Sequence, residues 1–197
     1  MGLALKDSQT YTYADYLTWS DDARYELIDG HAYYMAPAPD LTHQDIAGEI
    51  FRQVANSLKG KKCRAFIAPV DVRLSDSNQD NANIINVVQP DVFVVCDPNK
   101  FTRRGILGAP DWIVEVLSPS TAGHDQIIKR QLYEHHGVRE YWLVHPTDRV
   151  LTVYRLENGE YGKPELYELI GATPIGALPG CVIQWDELVA SLPNDYE

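Results

Sequence analysis

Cysteine, long apolar runs and positive charge are all scarce in this chain of 197 residues. The three cysteines, Cys63, Cys96 and Cys181, stand apart, with no C-x-x-C and an odd total. That excludes a zinc ribbon or finger, which needs four Cys or His ligands at close intervals. Three ordinary buried thiols in a reducing cytoplasm are the expectation. The six histidines form no H-E-x-x-H, and the adjacent His135 and His136 would point about 100° apart on a helix, a poor chelate. No apolar run reaches the roughly 18 residues of a membrane span. Residues 1–10 lack the charged, apolar, small-residue order of a secretory signal. A cytoplasmic protein with no membrane partner is therefore expected. Also missing are G-x-S-x-G, the P-loop and G-x-G-x-x-G, the signatures of the commonest hydrolase, nucleotidase and dinucleotide sites.

Lys and Arg number 17 against 28 Asp and Glu, a net charge of −11. Such a chain does not coat nucleic acid by bulk attraction, because phosphate binding needs local Lys and Arg. Its carboxylates can still hold metal ions, and a bound cation reverses the local sign. Any affinity for DNA should then be weak, confined to a local basic track and dependent on the metal.

What the chain does have is enough to fold. Its length fits one domain, 1–197, which would bury roughly 70% of the unfolded surface without help from disulfides or a structural metal. Hydrophobic residues are 45% and aromatics 10%, including 12 Tyr and 4 Trp, so the chain is not disordered. Thr12 and Asp15 form a capping box for a short helix. Residues 25–35 read as a hairpin around Asp29-Gly30. Pro37, Pro39 and Asp40 make a loop, and Thr42 caps a helix to about Lys59 with Ile46, Ile50, Val54 and Leu58 on one face. Residues 64–74 read as one strand, 75–86 as a polar loop, and 87–95 as a strand broken by Pro90. Residues 112–117 form a third apolar run. A helix over 123–136, capped by Ser120 or Thr121, ends at Gly137. Strands follow at 139–145 and 150–156, with a further strand within 161–170 and a terminal helix over 185–191. The fold class is α/β (α+β): a central mixed β-sheet flanked by helices on both sides.

The chemistry stands out as acid inside apolar strands. Asp91 lies between Pro90 and Val92-Phe93-Val94-Val95, and Glu115 sits in Trp112-Ile113-Val114-Glu115-Val116-Leu117. A buried carboxylate is disfavoured unless paired, protonated or metal-bound. Two of them on adjacent strands would repel each other, and oxygen donors suit Mg²⁺ or Mn²⁺. Lys129 follows in the next helix, and Glu26 is a further acid in a partly apolar strand. Each has a plainer reading. Asp91 can cap a turn, Lys129 can make a solvated surface pair with Asp125, Glu26 can be an exposed cross-strand residue, and His43 can lie on the surface near a helix start. His124 and His145 carry no assignment, and the Tyr and Trp residues read as core.

Pro90-Asp91, then Glu115-Val116-Leu117-Ser118-Pro119-Ser120-Thr121, then Lys129 resembles the PD-(D/E)XK nuclease superfamily. The match narrows to the Uma-type bacterial family of restriction-endonuclease-type proteins, long filed as a domain of unknown function. Glu26-Leu27-Ile28-Asp29-Gly30, His43-Gln44, Val88-Gln89-Pro90-Asp91, Gly108-Ala109-Pro110-Asp111 and Gly137-Val138-Arg139-Glu140-Tyr141-Trp142-Leu143-Val144 carry this closer likeness, over roughly 12–190. One departure stands out: the superfamily lysine belongs two residues after the acid, where this chain has Leu117, so the resemblance assigns its role to Lys129, with Arg130, about 100° away on a helix, as the nearby alternative.

The resemblance implies a restriction-endonuclease-like core and Mg²⁺-assisted hydrolysis of DNA phosphodiesters, with Mn²⁺ as a substitute. Asp91, Glu115 and the Val116 carbonyl would hold the metal, and Lys129 would orient the water or offset charge on the phosphate. Glu26 would be a further ligand, and His43 would touch phosphate or water. Enzymes of this fold often act as homodimers. The alternative is a catalytically weak or inactive module of the same fold that binds nucleic acid or protein. The grouping of Lys59, Lys61, Lys62 and Arg64, of Arg103-Arg104, and of Lys129-Arg130 and Arg139 suggests a narrow phosphate track, although charge groups on turns are usually just solvated.

Overall fold

The computed structural model describes residues 7–19, 24–35, 40–75 and 80–192. Pro37 and Pro39 lie outside them. In chain order the elements are α1 (Tyr13–Tyr16), β1 (Tyr25–Ile28), β2 (His31–Tyr34), α2 (Leu41–Ser57), β3 (Arg64–Ile67), β4 (Val72–Arg73), β5 (Val87–Val88) and β6 (Val92–Val95). Next come β7 (Phe101–Thr102), β8 (Gly105–Leu107), β9 (Trp112–Val116), a π-helical stretch (His124–Lys129) running into α3 (Arg130–His135), β10 (Glu140–His145) and β11 (Val150–Glu157). Last are β12 (Glu160–Tyr161), β13 (Glu165–Glu168), β14 (Ala172–Pro174), β15 (Val182–Gln184) and α4 (Trp185–Ser191).

The central sheet runs β12-β11-β10-β9-β6-β3, with β13 also on β11. It is mixed, because β9 and β10 are parallel while β6 is antiparallel to both β3 and β9. A second sheet runs β2-β1-β5-β4-β8-β7. On one face of the central sheet, the expected stripe of Ile46, Ile50, Val54 and Leu58 on α2 packs against Val92, Val94, Trp112, Val114 and Trp142, and α4 adds Trp185 and Leu188. Each such side chain is worth about 1.5–3 kcal/mol when fully buried. The opposite face holds Phe93, Ile113 and Leu143, covered by Ile28, Val72 and Val88 of the second sheet and by Leu132 and Tyr133 of α3. Both faces are buried, which is why β6 and β9 read as continuous apolar runs.

Two prolines mark where the chain changes sheets. Residues 64–74 are not one strand: β3 joins the central sheet and β4 the second, with Pro69 between. Pro90 likewise separates β5 from β6, since a residue without an N–H cannot continue a ladder. The helix caps also move. Asp40, not Thr42, caps α2, its carboxylate accepting the His43 N–H at 2.8 Å. A carboxylate suits the positive end of a helix better than a hydroxyl does. Neither Ser120 nor Thr121 makes a capping bond to the helix amides; Thr121 Oγ1 instead faces the Ser118 N–H at 3.4 Å.

The cysteines correct a firmer expectation. Cys63 and Cys96 form a disulfide, and Cys181 remains a buried thiol. β3 and β6 pair with Arg64 opposite Val95, so the flanking cysteines face each other across the ladder. The pairing arises from register between distant segments, which no C-x-x-C spacing announces. Among the described residues no helix is long and apolar enough to cross a membrane.

Candidate active site

β6 and β9 pair with Val92 opposite Val114, so the next pair outward is Asp91 and Glu115. Side chains alternate along a strand. Trp112, Val114 and Val116 face α2, whereas Ile113 and Glu115 face the second sheet. The two acids are locked reciprocally: the Asp91 N–H donates to Glu115 Oε2 at 3.2 Å, and the Val116 N–H donates to Asp91 Oδ2 at 2.8 Å. Both carboxylates border the same cleft.

Lys129 arrives from the helix after β9. Its ammonium lies 2.9 Å from Glu26 Oε1, 3.0 Å from Glu115 Oε1 and 3.6 Å from Asp125 Oδ1. It is only 5% exposed, so the surface-pair reading with Asp125 is wrong: both residues are buried, Asp125 at 4%. The helix here is π-helical, not the expected α-helix. This wider winding, frequent at functional sites, turns His124, Asp125 and Lys129 inward together while leaving Ile127 at the surface. Tyr133, one turn further on, donates its hydroxyl to Glu115 Oε1 at 2.9 Å.

Glu26 comes from the other sheet. β1 crosses opposite this helix, and Glu26 is 1% exposed, not on the surface. Its Oε1 also accepts the Gln89 N–H at 2.9 Å, and Oε2 lies 3.6 Å from His124 Nε2. His43, in the first turn of α2, is buried as well; Nε2 contacts Asp91 Oδ2 at 3.1 Å.

One ammonium cannot balance three buried carboxylates, and the acids divide accordingly. For Glu26, burial opposes ionisation, but Lys129, His124 and the Gln89 amide outweigh it and hold the carboxyl down to about 2. For Glu115, burial dominates over Lys129, and the neighbouring Asp91, Asp125 and Glu26 push the same way, so its pKa stands well above the usual carboxylate range. Asp125 is raised by burial too. Lys129 is held charged: desolvation acts against it, and the three carboxylates more than compensate. The Asp91 contact likewise overcomes burial at His43 and raises its pKa.

Glu26, His43, Asp91, Glu115, Asp125 and Lys129 line a cleft of about 630 Å³, with Arg24, Gln89, Ser118 and Pro119 among its walls. Of the grouped basic residues, Lys129 lines it, whereas Lys59, Lys61, Lys62, Arg64, Arg103, Arg104, Arg130 and Arg139 are not among the described lining residues. Arg64 instead lies over the rings of Phe66 and Phe101. Among the described residues no three His, Cys, Asp or Glu side chains stand together as a preformed metal site. Sequence reasoning missed His124, Tyr133, Gln89 and Arg24. The recurrence of Asp125, Lys129 and Tyr133 at intervals of four was the available signal for the helix side of the cluster.

An α+β fold with a mixed central sheet, and a cleft where strand carboxylates meet a buried lysine, defines a nuclease-like protein. The chain belongs to the Uma2 family: the family model, described as "Putative restriction endonuclease", matches residues 13–184. An uncharacterised protein of Synechocystis sp. is 32% identical over 143 residues, 71% of each chain. A crystal structure of a "putative nuclease belonging to DUF820" from Anabaena variabilis superposes with a TM-score of 0.72 at 21% identity, covering 91% of this chain and 97% of that one. That likeness shows the shared fold.

Proposed function

We propose that this protein is a Mg²⁺-dependent DNA endonuclease. The observation that carries the reading is the convergence of Asp91 and Glu115 from paired strands with Lys129 from the following helix, in one cleft. The donor set suits a hard cation. Among the described residues Asp91 Oδ1 makes no hydrogen bond, and Glu115 Oε2 takes only the longer Asp91 amide contact. With the Val116 carbonyl, these oxygens match Mg²⁺, which keeps several waters and takes few protein ligands. Mn²⁺ fits the same donors. When bound, the metal supplies a polarised phosphate and a water of lowered pKa.

The residues of the chain do the rest. Lys129, held by Glu26 and Glu115, presents fixed positive charge beside the reacting phosphate. Glu26 keeps that ammonium in place and serves as a more distant ligand through water. His43, seated on Asp91, orients the carboxylate. Water adds to phosphorus, the bond to the leaving sugar oxygen breaks, and that oxygen takes a proton. Two copies acting as a homodimer would cut both strands, and a cytoplasmic location would give access to DNA.

Supercoiled plasmid with Mg²⁺ or Mn²⁺ tests the reading. Wild type should nick or linearise it, and EDTA should stop the reaction. Asp91→Ala and Lys129→Ala should each lower the rate by about 10²-fold or more. Cleavage that survives in both variants would assign it to another site or to contamination.

A further inference from the structure

The cleft is acidic. Glu26, Asp40, Asp91, Glu115 and Asp125 line it, against two permanent cations, Arg24 and Lys129. Lys129 is buried and already shared by three carboxylates. A polyanionic strand needs a further positive contact, and Arg24 alone remains among the described lining residues.

Its setting differs from that of several other arginines. Arg52, Arg130, Arg139 and Arg155 are each paired with a carboxylate: Glu49, Glu134, Asp111 and Glu165. Arg24 is exposed, and its Nη2 donates to the side-chain oxygen of Gln89, a neutral amide. The hydrogen bond orients the guanidinium without cancelling its charge. Gln89 is itself fixed, its Nε2 donating to Asp71 Oδ1 at 2.8 Å and its backbone N–H to Glu26 Oε1 at 2.9 Å. Gln89 thus ties Arg24 to Glu26, the acid that grips Lys129. The remaining guanidinium donors have no partner among the described residues, and a planar fork of this kind matches phosphate oxygens.

We propose that Arg24 is the substrate-binding residue of this cleft, clamping a backbone phosphate next to the one that is cut, with Gln89 as its positioning residue. The inference rests on the nuclease reading for the identity of the anion. The same geometry predicts recognition of the backbone rather than of base sequence, because a phosphate contact carries no sequence information.

The test is fluorescence anisotropy of the full chain with a short duplex oligonucleotide, Ca²⁺ replacing Mg²⁺, over a series of NaCl concentrations. A parallel gel with Mg²⁺ follows cleavage. Arg24→Ala should weaken binding by about tenfold and lower the log–log salt slope by about 1, as loss of one phosphate contact does. Arg24→Lys, which keeps the charge but loses the fork, should restore part of the affinity, and Lys163→Ala, outside the cleft, should change neither quantity. Circular dichroism checks that each variant is folded. If wild type binds and cleaves while Arg24→Ala matches it in affinity and slope, the clamp is overturned and the nuclease reading stands. If binding depends on Arg24 but the gel shows no cleavage by wild type, the clamp stands and the nuclease reading falls. Absence of binding by wild type overturns both.

Discussion

Glu26 and Glu115 touch the same ammonium and yet titrate in opposite directions. The difference lies in what else surrounds them. Glu26 receives the Gln89 amide and lies near His124, while Glu115 has three other acids around it. A carboxyl whose pKa falls on folding contributes stability above its unfolded value, and that contribution disappears as pH drops through the folded value. For Glu26 the window runs from its usual 4.5 down to about 2. Urea unfolding across this range should show the wild type losing up to about 3 kcal/mol more than Glu26→Gln. Parallel curves for the two proteins would mean that Glu26 is not the ionised partner of Lys129. Asp91 and Glu115 were legible as site candidates because acid in an apolar strand conflicts with the local pattern. His124 and Gln89 offered no such conflict, and only their positions beside Glu26 bring them into the site.

Among the elements, the π-helical stretch His124–Lys129 has the most direct bearing on the site. An α-helix and a π-helix place the same residues on different faces, since the repeat changes by about one residue per turn. Deleting the exposed Gln126 should restore α-helical winding with His124 and Asp125 four and three residues before Lys129, still on its face. Plasmid nicking should then stay above the level of Lys129→Ala, while far-ultraviolet circular dichroism keeps the signature of a folded α+β protein. Nicking as low as that of Lys129→Ala would show that the cleft depends on the wider turn. Helix and strand positions were largely readable, because apolar periodicity is a local property. The π winding was not, as Gly123 to His136 carries an ordinary helical pattern. Nor was the assignment of strands to sheets: Pro69 and Pro90 announce breaks, but not that the chain leaves one sheet for another at each.

At the scale of the molecule, two sheets share a buried layer, and the Cys63–Cys96 bond staples the edge strand β3 to β6, the strand that Asp91 leads into. The bridge closes a loop with a sequence separation of 33. Replacing both cysteines by serine should lower the unfolding free energy by about 2–4 kcal/mol, read from urea curves of oxidised wild type and variant. Identical curves, or three free thiols by thiol titration of the unreduced protein, would count against a bridge in solution.

The sequence by itself determined the class of elements, the apolar stripe of α2, the two strand carboxylates and the family, all of which depend on residues near one another along the chain. The tertiary structure decided which distant residues meet. Glu26 and Lys129 are brought together from different sheets and helices, Cys63 and Cys96 by strand register, and Arg24 is left as the cleft's uncompensated cation by its neutral partner Gln89. The physical reason is that periodicity reports which face of an element is buried, whereas contacts across a core depend on sheet order and register, which local pattern does not encode. The net charge of −11 remains as first counted, but its meaning is local: five acids line one cleft among the described residues, and the structure rather than the composition shows which cation there has a neutral partner.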